Sequence, residues 1–140
     1  MRYLLDTCVI SELVKKAPER AVVEWVRGQD DSNLFLSVIT TGEIQEGIAK
    51  LQDGKKRRRL QQWVEEDLER RFTGRIIAID RAIASRWGLL SGSAEKAGKK
   101  VPVLDGLLAA TALEQGMTLV TRNTAHIRET GAQVLDPWES

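Results

Sequence analysis

A parallel β-sheet covered by helices on both faces is the fold class this sequence predicts, and three observations carry it. Short apolar runs alternate with amphipathic segments along the whole chain. Two of those runs end on an aspartate, Asp6 and Asp80, a residue suited to cap the helix that follows. The chain has 140 residues, the size at which one core suffices, so a single domain over 1–140 is expected.

In order, Tyr3-Leu4-Leu5 reads as the first strand, and Thr7 to Val14 as a short helix packed back on the sheet. Pro18 suits the first turn of a second helix that runs through Val22, Trp25 and Val26 to Gly28. A polar loop over 29–33 leads into Leu34 to Val38, the next strand. Thr40 or Thr41 is then placed to cap a helix carrying Glu43, Ile44, Ile48 and Leu51. After the basic run Lys55 to Arg59, the spacing of Leu60, Trp63, Val64, Leu68 and Phe72 predicts one long helix. Ile76 to Ile79 reads as a buried strand, and Ala82, Ile83, Trp87 and Leu90 mark the helix after it. Gly92, Gly98 and Pro102 punctuate a loop. Asp105 opens a small-residue helix, Thr118 to Val120 is a strand, His126 to Glu129 one helical turn, and Gln133 to Leu135 the last strand.

Composition narrows the function classes. Hydrophobic residues at 42% and charged residues at 29% exclude a disordered tail, a collagen-like fibre and a membrane span, and no membrane partner is expected. Net charge is only +1, so a nucleic acid must be met by a local patch. With one cysteine, Cys8, and one histidine, His126, neither a disulfide nor a cysteine- or histidine-rich metal site is available. Asp6 interrupts the apolar stretch a signal peptide needs, so a cytoplasmic location is expected.

In an open parallel sheet, ligands bind beyond the carboxyl ends of the strands. Asp6 lies just past the first strand, Glu43 in the helix after the second, Asp105 at a helix start, and Thr121 and Asn123 just past the fourth strand. If the strand order brings them together, three carboxylates converge with no basic residue obliged to neutralise them. Such a cluster requires a cation or retained protons. Oxygen-only donors favour Mg²⁺ or Mn²⁺, which support water attack on a phosphodiester. Each member also has an ordinary role open to it: Asp105 as a favourable charge at a helix start, Glu43 as a solvated side chain, Asp80 as a cap. Phosphotransfer on a receiver-like sheet uses similar carboxylates, but Asp6-Thr7-Cys8 lacks a second nearby aspartate.

Four segments together are distinctive: Leu5-Asp6-Thr7-Cys8-Val9-Ile10-Ser11-Glu12, Ser37-Val38-Ile39-Thr40-Thr41-Gly42-Glu43-Ile44, Asp105-Gly106-Leu107-Leu108-Ala109-Ala110-Thr111-Ala112 and Val120-Thr121-Arg122-Asn123. They resemble the PIN-domain family, in particular its VapC-type toxin ribonucleases and the FitB-like group, which also shows a Pro-Trp pair near the carboxyl end, here Pro137-Trp138. The resemblance covers nearly the whole chain. It implies a three-layer α/β/α sandwich with a mainly parallel sheet, and a Mg²⁺- or Mn²⁺-dependent endoribonuclease that is the toxin of a type II toxin–antitoxin pair. It implies an RNA substrate, a cognate antitoxin, a homodimer or higher assembly, and DNA contact only through the antitoxin. A catalytically weak FitB-like subunit that modulates a DNA-bound antitoxin is the alternative it leaves open. Residue by residue, Asp6, Glu43 and Asp105 correspond to the acidic metal-binding set, and Thr121 to the small hydroxyl residue near the metal or its water. Asn123 stands where many relatives carry a fourth acid, and His126 where relatives often have an aspartate.

Outside these motifs, Cys8 reads as a packed thiol and His126 as structural or solvated. Trp25, Trp63 and Trp87 fall on apolar stripes. The segment Lys55 to Arg75 has eight basic and four acidic residues, leaving +4, either a solvated helix start or a phosphate contact.

Overall fold

The computed structural model describes residues 1–139. Five parallel strands form one sheet in the order β3-β2-β1-β4-β5. They are β1 (Tyr3–Leu5), β2 (Leu34–Ser37), β3 (Ile76–Ile77), β4 (Thr118–Val120) and β5 (Val134–Leu135). β1 is central, with Leu4 opposite Phe35 on one side and Leu119 on the other. Side chains alternate along each strand, so the sheet has two apolar faces. Leu5, Leu34, Leu36 and Val120 face one core, while Leu4 and Leu119 face the other.

Helices α1 (Thr7–Leu13), α2 (Arg20–Arg27) and α3 (Val38–Ala49) pack on the first face through Val9, Val22, Val26, Ile44 and Ile48. The segment after Gly54 packs on the same face. It comprises α4 (Lys55–Trp63), a π-helical turn (Val64–Leu68) and α5 (Glu69–Arg71), with Val64, Leu68 and Phe72 buried. The second face is covered by α7 (Val103–Gln115), through Leu108, Ala109 and Ala112, and by α8 (Thr124–Arg128), through Ile127. Helix α6 (Arg81–Lys96) lies against α7. The result is the expected three-layer α/β/α sandwich. Among the described residues no helix is long and apolar enough to cross a membrane.

Several boundaries differ from the sequence expectation, each for a local reason. α3 starts at Val38, because the Ser37 hydroxyl caps it by accepting from the Ile39 N–H at 3.0 Å; Thr40 is fully buried and Thr41 donates to the Val38 carbonyl. α2 begins at Arg20, two residues past Pro18. β3 pairs only over Ile76–Ile77, and Asp80 caps α6 by accepting from the Ile83 N–H at 2.9 Å. α6 continues through Gly92 to Lys96, and α7 starts two residues before Asp105. The α6–α7 contact is close enough that a Cβ on Gly106 would lie 3.0 Å from the Trp87 ring, so Gly106 is needed there. Gly116, at φ 65°, ends α7 in the left-handed conformation that favours glycine.

Arg71 and Arg75 are absorbed by the fold. Arg75 donates to the carbonyls of Asp31, Leu34 and Arg71, and Arg71 pairs with Asp31 at 3.1 Å. Trp25 meets the Tyr3 ring edge-on at 5.0 Å, the packing role its apolar stripe predicts.

Candidate functional site

The connections after β1 and β2 run one way across the sheet and those after β4 the other. The crevice of this topology therefore opens between the carboxyl ends of β1 and β4. Asp6 follows β1, while Thr121 and Asn123 follow β4. α3 and α7 come into contact and bring Glu43 and Asp105 to the same edge. A cleft of about 610 Å³ is lined by Asp6, Thr7, Cys8, Ser11, Glu43, Asp105, Arg122 and Asn123. Of the five residues singled out in the sequence, four thus line one cleft. The fifth, Thr121, is fully buried beneath it.

Asp6 is the anchor of the arrangement. One carboxylate oxygen caps α1 by accepting from the Thr7 N–H at 2.7 Å; the other accepts from the Thr121 hydroxyl at 2.7 Å. Thr121 in turn accepts from the Asn123 N–H at 3.0 Å, so one buried hydroxyl ties the ends of β1 and β4 together. The Thr7 hydroxyl donates to Glu43 Oε1 at 2.6 Å, and Asn123 Nδ2 donates to Asp105 Oδ2 at 3.3 Å. Each carboxylate is held by a neutral donor.

That choice of neutral partners has an electrostatic consequence. Burial pushes the Glu43 and Asp105 carboxyls above their ordinary range, and the Asp6 charge adds to both shifts. Thr7 opposes the shift at Glu43, and His126 opposes it at Asp105. His126 is exposed, and this electrostatic effect is its connection to the cleft. Among the described residues no lysine or arginine forms an ion pair with Asp6, Glu43 or Asp105. The cleft does contain a cation, however. Arg122 lines it, with its guanidinium 5.0 Å from the centre of the Trp138 ring.

The donor set suits a hard dication with an open shell. All nearby donors are oxygens apart from the Cys8 sulfur, and burial together with the Asp6 charge pushes that thiol up to about 11, which disfavours the thiolate beside Asp6. Among the described residues, no group of three His, Cys, Asp or Glu side chains is drawn together tightly enough to cage an ion. An ion such as Mg²⁺ commonly needs no such cage, since it keeps several waters and takes one or two carboxylates plus substrate phosphate. The residues fit that open form.

Residues 3–132 match the PIN domain family. This chain belongs to the PIN domain family. Among its PIN relatives, VapC ribonuclease Y4jK of Sinorhizobium fredii is 36% identical over 136 residues, covering 97% of each chain. Toxin FitB of Neisseria gonorrhoeae is 35% identical over 135 residues, 96% of this chain and 97% of FitB. The crystal structure of FitAcB from the same organism superposes with a TM-score of 0.94 at 34% identity, covering 99% of both chains. The structure of FitAB bound to an IR36 DNA fragment gives 0.92 at 35% identity, covering 97% of this chain and 95% of that one.

Thr7 and Arg122, which belong to this PIN cleft, received no role from the sequence. Both stand inside the recognised motifs, next to Asp6 and between Thr121 and Asn123. The available signal was adjacency: a hydroxyl one residue past a capping aspartate faces the same edge of the sheet.

Proposed function

We propose that residues 1–140 form one PIN-like nuclease domain, the toxin of a type II toxin–antitoxin pair, and that it cleaves RNA as a Mg²⁺- or Mn²⁺-dependent endoribonuclease. The observation that carries this is the cleft itself, where Asp6, Glu43 and Asp105 meet with neutral partners and, among the described residues, no paired cation. The close likeness to a VapC ribonuclease and to toxin FitB supports it.

In this reading Asp6, Glu43 and Asp105 would hold the ion, directly or through the waters it keeps. An ion held there would supply Lewis acidity to a phosphate oxygen and raise the hydroxide fraction of water beside it. Thr121 fixes the Asp6 carboxylate through its 2.7 Å bond. Asn123 orients Asp105, and Thr7 orients Glu43. Arg122 supplies a positive wall against which a phosphate can lie. Water is the nucleophile, and no side chain needs to serve as base. The products expected are a 5′-phosphate and a 3′-hydroxyl.

The likeness to FitAB bound to DNA favours a second reading, in which the chain turns over weakly and chiefly modulates an antitoxin on DNA. One experiment separates the two. Purified chain is incubated with single-stranded RNA in Mg²⁺, in Mn²⁺ and in EDTA. Metal-dependent cleavage supports the nuclease. No cleavage in any metal, with tighter antitoxin binding to operator DNA on adding the chain, supports the modulator.

A further inference from the structure

A second and larger hollow adjoins the carboxylate cleft. It has a volume of about 690 Å³, lies between α1, α3 and α4, and shares Thr7, Ser11 and Glu43 with the cleft. Lys15 and Lys16 stand on one wall, and Lys55, Lys56 and Arg59 on the other. Lys15 is occupied by Glu12 at 2.9 Å. The other four are exposed and make no ion pair among the described residues.

Helix stability does not explain where these charges sit. α4 opens with Lys55 and Lys56, has no acidic residue in its first turn, and Gly54 offers no side-chain cap. Cations at a helix amino terminus oppose its dipole. A local rule broken without local gain marks a surface kept for a partner. The basic run is also not uniform: Arg58 turns to Asp53 at 3.8 Å, and Arg57 lies outside the groove.

We propose that this groove carries the phosphate backbone of single-stranded RNA toward the carboxylate cleft, with Lys16, Lys55, Lys56 and Arg59 as the phosphate contacts. The inference rests on the nuclease reading for its choice of RNA. A cleft of three carboxylates in a chain of net charge +1 repels a polyanion, and these four unpaired cations offset that repulsion beside the site. Single-stranded RNA suits the groove because a flexible backbone can follow its basic rim while the bases lie on the apolar side chains between, here Leu60 and Trp63.

The test is fluorescence anisotropy of a labelled single-stranded RNA oligonucleotide over a salt series. It uses the full chain carrying Asp105→Asn in Mg²⁺, so that binding is read without cleavage. Each phosphate that is no longer neutralised reduces the magnitude of the logarithmic salt slope by ~0.7. The combined variant K16Q/K55Q/K56Q/R59Q is expected to lose about 3 from the slope and at least ~10-fold in affinity at low salt. R57Q/R58Q is expected to match the parent. The charge-retaining K16R/K55R/K56R is expected to keep the slope, which separates charge from any damage to the fold. A combined variant with the parent's slope and affinity overturns the proposal. The nuclease reading fails separately, when the unmodified chain does not cleave RNA in Mg²⁺ or Mn²⁺; RNA binding by the groove is still measured in that case.

Discussion

Glu12 and Glu43 are glutamates on neighbouring helices, α1 and α3, and the protein treats their charges in opposite ways. Glu12 accepts from Lys15 at 2.9 Å and from the Glu19 N–H at 2.9 Å. Those bonds hold its carboxyl below the usual range, with the backbone N–H the larger cause. Among the described residues Glu43 receives a threonine hydroxyl alone, and burial, with the nearby Asp6 and Asp105 charges adding to it, pushes its carboxyl up. A carboxylate matched from within ties the α1–α2 connection in place. One left unmatched keeps its charge for something outside the chain.

If that division holds, substitutions in the cleft and at Glu12 damage different properties. The largest effect is expected from Asp6→Asn or Asp105→Asn, which keep an oxygen donor but remove the anion a hard dication needs. Mg²⁺-dependent RNA cleavage is expected to fall by at least ~10²-fold, with an unchanged circular dichroism spectrum. Asparagine caps a helix about as well as aspartate, so the start of α1 survives Asp6→Asn. Wild-type turnover in either purified variant removes the cleft from the chemistry.

Glu12→Gln is the converse. It keeps the shape but weakens the bonds to Lys15 and to the Glu19 N–H, at an expected cost of ~1–2 kcal/mol in urea unfolding. Cleavage per folded molecule is expected to stay at the parent level. A stable Glu12→Gln protein without activity would move Glu12 into the site and collapse the distinction.

The cleft side of this contrast was legible in the sequence, whereas nothing in the sequence set Glu12 apart. Asp6 and Thr121 are found by a local rule, since polar residues just past central parallel strands meet at the crevice. Glu43 and Asp105 needed the resemblance as well, because nothing in a helix's own periodicity says which of its carboxylates faces a neighbour. The start of α3 was misplaced because Ser37, Thr40 and Thr41 all have capping chemistry, and only the backbone at Ser37, with φ −97° and ψ 153°, decides among them. The groove was invisible for another reason. Lys16 and Arg59 are 43 positions apart in the chain, and the groove whose opposite walls they occupy exists only once α1 and α4 flank the same hollow. Arg57 and Arg58, equal partners of Arg59 in the sequence, are separated from it by where α4 turns each side chain.

pH separates the two glutamates with opposite signs. Glu12 lies below its ordinary value of 4.5, so its contribution is present at neutral pH and is lost as pH falls through the lowered value. Glu43 and Asp105 lie above their ordinary values of 4.5 and 3.8. Protonated, they cost the fold nothing, and the cost appears as pH rises through the raised values. Both are partly exposed, so solvent screening holds the cost to about 1 kcal/mol or less. In EDTA, Asp105→Asn is therefore expected to raise the melting temperature at neutral pH and to leave it unchanged at pH below the ordinary carboxylate range. Glu12→Gln is expected to lower it at neutral pH, by less as the pH falls. Melts in which both differences run the same way with pH would contradict the assignment of matched and unmatched charge.

The smallest effect sharpens the comparison at its boundary. Asn123 is neutral, exposed and bonded through Nδ2 to Asp105 at 3.3 Å, so it joins a carboxylate of the unmatched kind without adding charge. Asn123→Asp replaces that donor with a second anion beside Asp105. Without metal the two repel, and the variant is expected to be slightly less stable than the parent at neutral pH. With metal the added charge works in the other direction, because affinity for a hard dication follows the number of anionic ligands. Calorimetric titration with Mn²⁺ is expected to show ~3–10-fold tighter binding. In an Asp105→Asn background the same change is expected only to bring the affinity back to about the parent's, because the two side chains then form the same amide–carboxylate pair with the partners exchanged. Unchanged Mn²⁺ affinity in Asn123→Asp, with activity intact, would assign Asn123 to orienting Asp105 through its hydrogen bond alone, and would place the edge of the ion's shell between these two residues.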